Sequence, residues 1–167
     1  MAQITLKGNA IHTNGQLPAL QTKAPDFQLV DQDLNNRSLK DFKGKRKILS
    51  LVPSLDTPVC SLSAKKFNEA MKNHPDIVVL VISADSPFAQ KRVCGAEGLK
   101  NIVTLSMMRS KDFAKDYGVL IVDGPLAGIC ARAVVVLDEN DHVIYEQLVP
   151  EIAQEPDYEA ALKAATT

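Results

Sequence analysis

An excess of charge of either sign is missing from this sequence: 19 Lys and Arg stand against 20 Asp and Glu, for a formal net charge of −1. Such a balance generates no field that would draw nucleic acid or an anionic lipid surface, and neither partner is expected. Long apolar runs are also absent. None approaches the roughly 20 residues that a membrane-spanning helix needs, so no membrane span is expected. The opening Met1-Ala2-Gln3-Ile4-Thr5-Leu6-Lys7 has neither the basic region nor the apolar core of a secretory signal, which makes the cytoplasm the expected compartment. Cysteine is scarce: only Cys60, Cys94 and Cys130 occur, too few and too far apart for a disulfide framework, and no Cys-x-x-Cys pair is present. Redox chemistry suits that pattern better than stapling. A Gly-x-Gly-x-x-Gly loop is lacking, so no nucleotide or flavin cofactor is expected. His12, His74 and His142 share no metal-ligand spacing with one another or with the cysteines, and no metal is expected either.

What is present is ordinary globular material, with 46% hydrophobic and 23% charged residues over 167 positions. A chain of this size buries one core without staples, and residues 1–167 read as a single domain with no repeat or linker. Residues 3–13 alternate around Gly8-Asn9, the pattern of an N-terminal β-hairpin. Residues 48–52 form an apolar strand that Pro53 ends. Thr57-Pro58 then opens a helix to about Asn73, with Val59, Leu62, Phe67, Ala70 and Met71 near one face and His74-Pro75 as its stop. Residues 77–82 are apolar without alternation, as a strand covered on both faces should be, and the three elements make a βαβ unit.

Ser86-Pro87 starts a second helix that reaches Val93-Cys94, with Gly95 as its left-handed stop, so Cys94 is expected at a fraying helix end. Residues 102–105 read as a strand and 110–117 as a short helix closed by Gly118. Residues 129–137 and 142–148 form a hairpin across the turn at 138–141. Glu155-Pro156-Asp157 opens a last helix with Tyr158, Ala161 and Leu162 on its apolar face. The architecture is α/β, a mixed central β-sheet with helices on both faces. Lys40 to Lys47 is a basic run broken by Gly44, read as a solvated turn or as a docking patch for an acidic partner.

Two residues carry most of the chemistry. Cys60 falls in the first turn of its helix, where free N–H groups and the helix dipole favour an anion, and such positions bring thiols from about 8.5 to roughly 3.5–7.5. The competing reading of Cys60 is a small buried hydrophobe. Arg132 stands in Ile129-Cys130-Ala131-Arg132-Ala133-Val134-Val135-Val136, where almost every neighbour is apolar. A guanidinium in such company needs an anion, because an unpaired buried charge costs several kcal/mol. A structural carboxylate such as Asp85 would serve as that anion.

Pro53, Thr57 and Cys60, spaced Pro-x-x-x-Thr-x-x-Cys, resemble the active-site motif of the peroxiredoxins, and Asp56-Thr57-Pro58-Val59-Cys60 is similar to the thiol peroxidase branch of that family. Ala24-Pro25-Asp26-Phe27 and Ala131-Arg132-Ala133-Val134-Val135-Val136 resemble two further segments of that branch, in the same order along nearly the whole chain. The resemblance implies a thioredoxin-like fold and reduction of hydrogen peroxide and organic hydroperoxides through a sulfenic acid on Cys60. Thr57 would then meet the peroxide, Pro53 would shield the sulfur, and Arg132 would point at it. Cys94 corresponds to the resolving cysteine, which implies an intramolecular Cys60–Cys94 disulfide recycled by thioredoxin in a homodimer. Cys130 has no counterpart and is expected to be an inert buried thiol. A redox-sensing binding protein would use the same disulfide without turnover. A general disulfide oxidoreductase is disfavoured, since Cys60 and Cys94 are not adjacent.

Overall fold

The computed structural model describes residues 1–167. Two buried runs build its centre. Strand β5 (Arg46–Leu51) lies parallel to β6 (Ile77–Ser83), with Ile48 opposite Val79 and Leu49 opposite Leu80. The outer strands are β3 (Leu29–Val30), β4 (Asn36–Arg37), β7 (Val103–Ser106), β8 (Ala133–Leu137) and β9 (Val143–Leu148). They complete a seven-stranded mixed sheet of order β4-β3-β7-β6-β5-β8-β9. A separate antiparallel hairpin joins β1 (Gln3–Leu6) to β2 (Asn9–His12). The helices are α1 (Pro58–Ala70), α2 (Pro87–Glu97), α3 (Asp112–Asp116) and α4 (Tyr158–Thr166), and none is long and apolar enough to cross a membrane.

Alternation along each strand sends successive side chains to opposite faces, and both faces are covered. Leu49, Leu51, Leu80, Ile82 and Val135 pack with Phe113 and Ala114 of α3, with Tyr117 just after it, and with Ile4 and Ile11 of the hairpin. Ile48, Val79, Val81 and Val134 pack on the other face against α1, α2 and α4, in the layer that holds Cys60 and Cys94. The α/β sheet with helices on both faces and an N-terminal hairpin is thus the fold that the chain adopts.

Several local expectations shift. The hairpin turns at Lys7-Gly8, both at positive φ, one position before Gly8-Asn9. Helix α1 buries Cys60, Ser63, Ala64, Phe67 and Asn68; of the expected face Phe67 and Met71 are buried, whereas Leu62 is 41% exposed. Helix α2 passes through Gly95 and ends at Gly98 in the left-handed region (φ 67). There the Leu99 N–H bonds back to Cys94 O at 2.9 Å and buried Leu99 seals the end, which offsets the roughly 1 kcal/mol cost of a helical glycine. Cys94 therefore sits a turn inside the helix. Lys47 also departs from the solvated basic run: it is 0% exposed, and its Nζ donates to Asp141 Oδ1 at 2.6 Å and to Lys45 O at 2.9 Å.

Candidate active site

The loop from β5 to α1 is held at its start and in its middle. Val52 N–H donates to Ile82 O at 3.0 Å, and Pro53 behind it is buried. Ser54 Oγ donates to Asp85 Oδ1 at 2.8 Å and the Leu55 N–H to Asp85 Oδ2 at 2.7 Å. Asp85 thus faces this loop, which removes it as the partner of Arg132.

Thr57 occupies the N-cap position of α1 with extended backbone (φ −106, ψ 153), but its side chain makes no capping bond. The expected cap is replaced by a turn backwards: Thr57 Oγ1 donates to Ser54 O at 3.0 Å. Pro58 has no N–H, and the first bonded amide of the helix is Ser61, which donates to Thr57 O at 2.9 Å. The N–H groups of Val59 and Cys60 are left without a protein partner, the usual orphan donors of a helix start.

Cys60 belongs to this first turn and is 0% exposed. Arg132 is 3% exposed and supplies the cation: its Nη1–H donates to Cys60 Sγ at 3.0 Å, while its Nε–H donates to Ile152 O at 2.8 Å. Topology makes the meeting possible. Leu51, the last residue of β5, pairs with Ala133, the first of β8, so Arg132 immediately before β8 lands beside the loop that follows β5. The carbonyl of Ile152 fixes the guanidinium plane, leaving Nη1 for the sulfur.

Two side chains of the final segment were not singled out for the site by sequence. Tyr158 hydroxyl donates to Glu155 Oε1 at 2.8 Å and accepts from Ser63 Oγ at 2.8 Å, and its ring meets Phe67 edge-on at 5.3 Å. Burial pushes the Tyr158 phenol up to about 12, so it stays a neutral donor. The Tyr158 bond, with Lys66 behind it, holds the Glu155 carboxyl below its usual range. A capping pattern near a helix start carries no signal for such a contact.

The three thiols are free and buried. Cys94 lies against Gln32 and Thr104; burial pushes its thiol up, and those two side chains oppose the shift. Cys130 donates to Val52 O at 3.0 Å directly beneath the loop. Burial first, then the neighbouring Cys60, pushes the Cys130 thiol to about 12, which keeps it protonated. A groove of about 370 Å³ runs between the start of α1 and the end of α2, lined in part by Leu55, Thr57, Pro58, Ser61 and Val93. Ion pairs from Arg92 to Asp56 (3.8 Å) and from Lys65 to Glu97 (2.7 Å) tie α2 to the loop before α1 and to α1 itself.

Residues 19–162 match the Redoxin family. A thiol peroxidase of Mycobacterium bovis is 53% identical over 164 residues, 98% of each chain. Among solved structures, a peroxiredoxin-like protein from Aquifex aeolicus superposes with a TM-score of 0.92 at 41% identity, covering 99% of this chain and 97% of that one. A thiol peroxidase from Chromobacterium violaceum gives 0.91 at 27% identity, covering 98% of this chain and 95% of that one.

Proposed function

Because the chain belongs to the Redoxin family, in its thiol peroxidase branch, we propose that it reduces hydrogen peroxide and organic hydroperoxides at Cys60. The observation that carries this reading is the 3.0 Å contact from Arg132 Nη1 to Cys60 Sγ in a buried site. A guanidinium with a second donor fixed on Ile152 O is a preorganised partner for a thiolate and for charge developing next to it.

In the proposed reaction the Cys60 thiolate attacks the terminal oxygen of the hydroperoxide. A sulfur–oxygen bond forms, the O–O bond breaks, and the alkoxide or hydroxide leaves and takes a proton. The peroxide gains two electrons and Cys60 becomes a sulfenic acid. Thr57 Oγ1 already gives its proton to Ser54 O, so its lone pairs are the part available to accept the hydroxyl of the peroxide. The unpaired N–H groups of Val59 and Cys60, with Arg132, donate to the oxygens as charge builds. Buried Pro53 keeps bulk water from the sulfur.

Cys94 then attacks the sulfenic sulfur, water leaves, and an intramolecular Cys60–Cys94 disulfide forms. A dithiol returns both cysteines to thiols. Thioredoxin as that dithiol and a homodimer as the working unit are carried over from the family, and the cytoplasm is a compartment that supplies reduced thiols. The test is a coupled assay with thioredoxin, its reductase, NADPH and cumene hydroperoxide. Steady NADPH oxidation is expected; a single stoichiometric burst would overturn the peroxidase reading in favour of a redox sensor.

A further inference from the structure

Asp85 touches none of the reacting atoms, yet three donors converge on its carboxylate. Ser54 Oγ binds Oδ1 at 2.8 Å, and the Leu55 N–H and Ser83 Oγ both bind Oδ2 at 2.7 Å. Asp85 is itself fixed. Its N–H donates to Ser83 Oγ at 3.3 Å, and its carbonyl accepts from Ser106 Oγ. Ser83 Oγ in turn receives Gln90 Nε2 at 3.0 Å, and the same amide donates to Leu105 O at 3.0 Å. The ends of β6 and β7 and the first turn of α2 are thereby tied into one platform beneath the Ser54-Leu55 peptide.

From this connectivity we infer that Asp85 is a positioning residue for peroxide recognition, acting through Ser54 on Thr57. The inference rests on the peroxidase reading given above. The Ser54 carbonyl receives both the Thr57 hydroxyl, at 3.0 Å, and the Thr57 N–H, at 3.3 Å. As long as Asp85 holds Ser54 and Leu55, the single proton of the Thr57 hydroxyl is committed to that carbonyl and its lone pairs are left for the substrate. Releasing the loop lets the Ser54 carbonyl turn, frees the Thr57 proton, and removes the acceptor that orients the hydroxyl of a hydroperoxide. The Cys60 sulfur, held separately by Arg132, keeps its own partner.

Those two effects separate in a pair of rate measurements on reduced full-length protein. Peroxide oxidation of Cys60 needs the thiolate and the oriented acceptor, whereas alkylation of Cys60 by iodoacetamide needs the thiolate and access to it but no hydroxyl acceptor. Asp85→Ala is expected to slow the peroxide reaction about a hundredfold, the scale of a misplaced recognition group, while alkylation stays within about threefold of wild type. Asp85→Asn is expected to recover most of the loss, because its amide oxygen can still accept from Leu55 and Ser83 and its NH2 can donate to Ser54 Oγ. Ser54→Ala, which removes one arm of the network and spares the rest, should show the same selective loss at about tenfold, and it decides the matter if Asp85→Ala does not fold. Equal slowing of both reactions, no slowing of either, or an Asp85→Asn variant as slow as Asp85→Ala would overturn the inference. A wild-type Cys60 that hydroperoxide fails to oxidise would overturn the peroxidase reading itself, a result distinct from all of these.

Discussion

The sulfur of Cys60 accepts from Arg132 Nη1, with a second, buried thiol at Cys130, and single substitutions separate their roles. Cys60→Ser should abolish peroxide turnover, because a hydroxyl is not ionised near neutral pH and no base stands ready to activate it. Cys130→Ser should leave turnover close to wild type, since a hydroxyl can still donate to Val52 O in place of the thiol. If Cys130→Ser were as inactive as Cys60→Ser in the coupled assay, the roles of the thiols would need reassignment. Arg132→Met removes the one cation on the sulfur, and it should slow peroxide and iodoacetamide alike, the peroxide reaction by on the order of a hundredfold or more. Loss of the peroxide rate with unchanged alkylation would move Arg132 from the thiolate to the leaving oxygen alone. Cys60 and Arg132 were legible in the sequence because each is chemically out of place where it stands: a thiol at a helix start, a guanidinium among aliphatics. Asp85 was not. An aspartate after a strand reads equally well as a turn residue, and the donors it gathers from the loop lie 30 and 31 positions away.

At the scale of elements, the proposed cycle requires Cys94 to meet Cys60 within the roughly 4.4–6.8 Å between Cα atoms that a disulfide needs, and α2 is the element expected to yield. Its beginning is well fastened: Ser86 Oγ accepts from the Ala89 N–H at 3.2 Å, and Gln90 is bonded to Ser83 and Leu105. Its second half packs Val93 and Cys94 into the core layer shared with α1, and the exposed pairs Arg92–Asp56 and Lys65–Glu97 add only about 1 kcal/mol or less each. Opening is therefore expected from the C-terminal end, across Val93 to Gly98, while α1 stays wound around the sulfur. Amide hydrogen exchange should show residues 93–98 protected in the reduced protein and unprotected in the oxidised one. Equal protection in both forms, with the disulfide intact, would contradict it. The existence of α2 was plain from Ser86-Pro87, but its end was not. Gly95 and Gly98 are equivalent stop signals along the chain, and what selects Gly98 is the burial of Leu99, a tertiary contact. The Thr57 cap fails for a similar reason, since the Ser54 carbonyl that competes for its hydroxyl is presented by a loop which Asp85 shapes from a distance.

Across the whole molecule, the two-layered core puts titratable groups where water cannot reach them, and this sets the pH range of the fold. Lys47 shows how such burial escapes a reading of the chain: each lysine of a basic run looks solvated, and only the pairing of Lys47 with Leu137 across β5 and β8 carries this one inward to Asp141. The thiols make the same point in a form that can be titrated. Cys130 is fully buried, and burial pushes its thiol up to about 12 on folding. Below about pH 9 the thiol is protonated in both folded and unfolded chains and contributes no slope. Above that value the unfolded chain releases the proton while the folded chain keeps it, so the unfolded state binds fewer protons and stability falls as pH rises, until the folded thiol also ionises near 12. Cys94, Tyr117 and Tyr158 are shifted in the same direction by burial and add to the fall. Serine at position 130 has no proton to lose in this range, so its contribution can be isolated. Urea unfolding of the reduced proteins at about pH 8 and about pH 10 should show wild type losing about 1 kcal/mol more than Cys130→Ser between the two conditions. Cys94 and the tyrosines are common to both proteins and cancel in the difference. An equal loss in the two would mean that the Cys130 thiol ionises in the folded state as easily as in the unfolded one, and that the space beneath the active-site loop admits water.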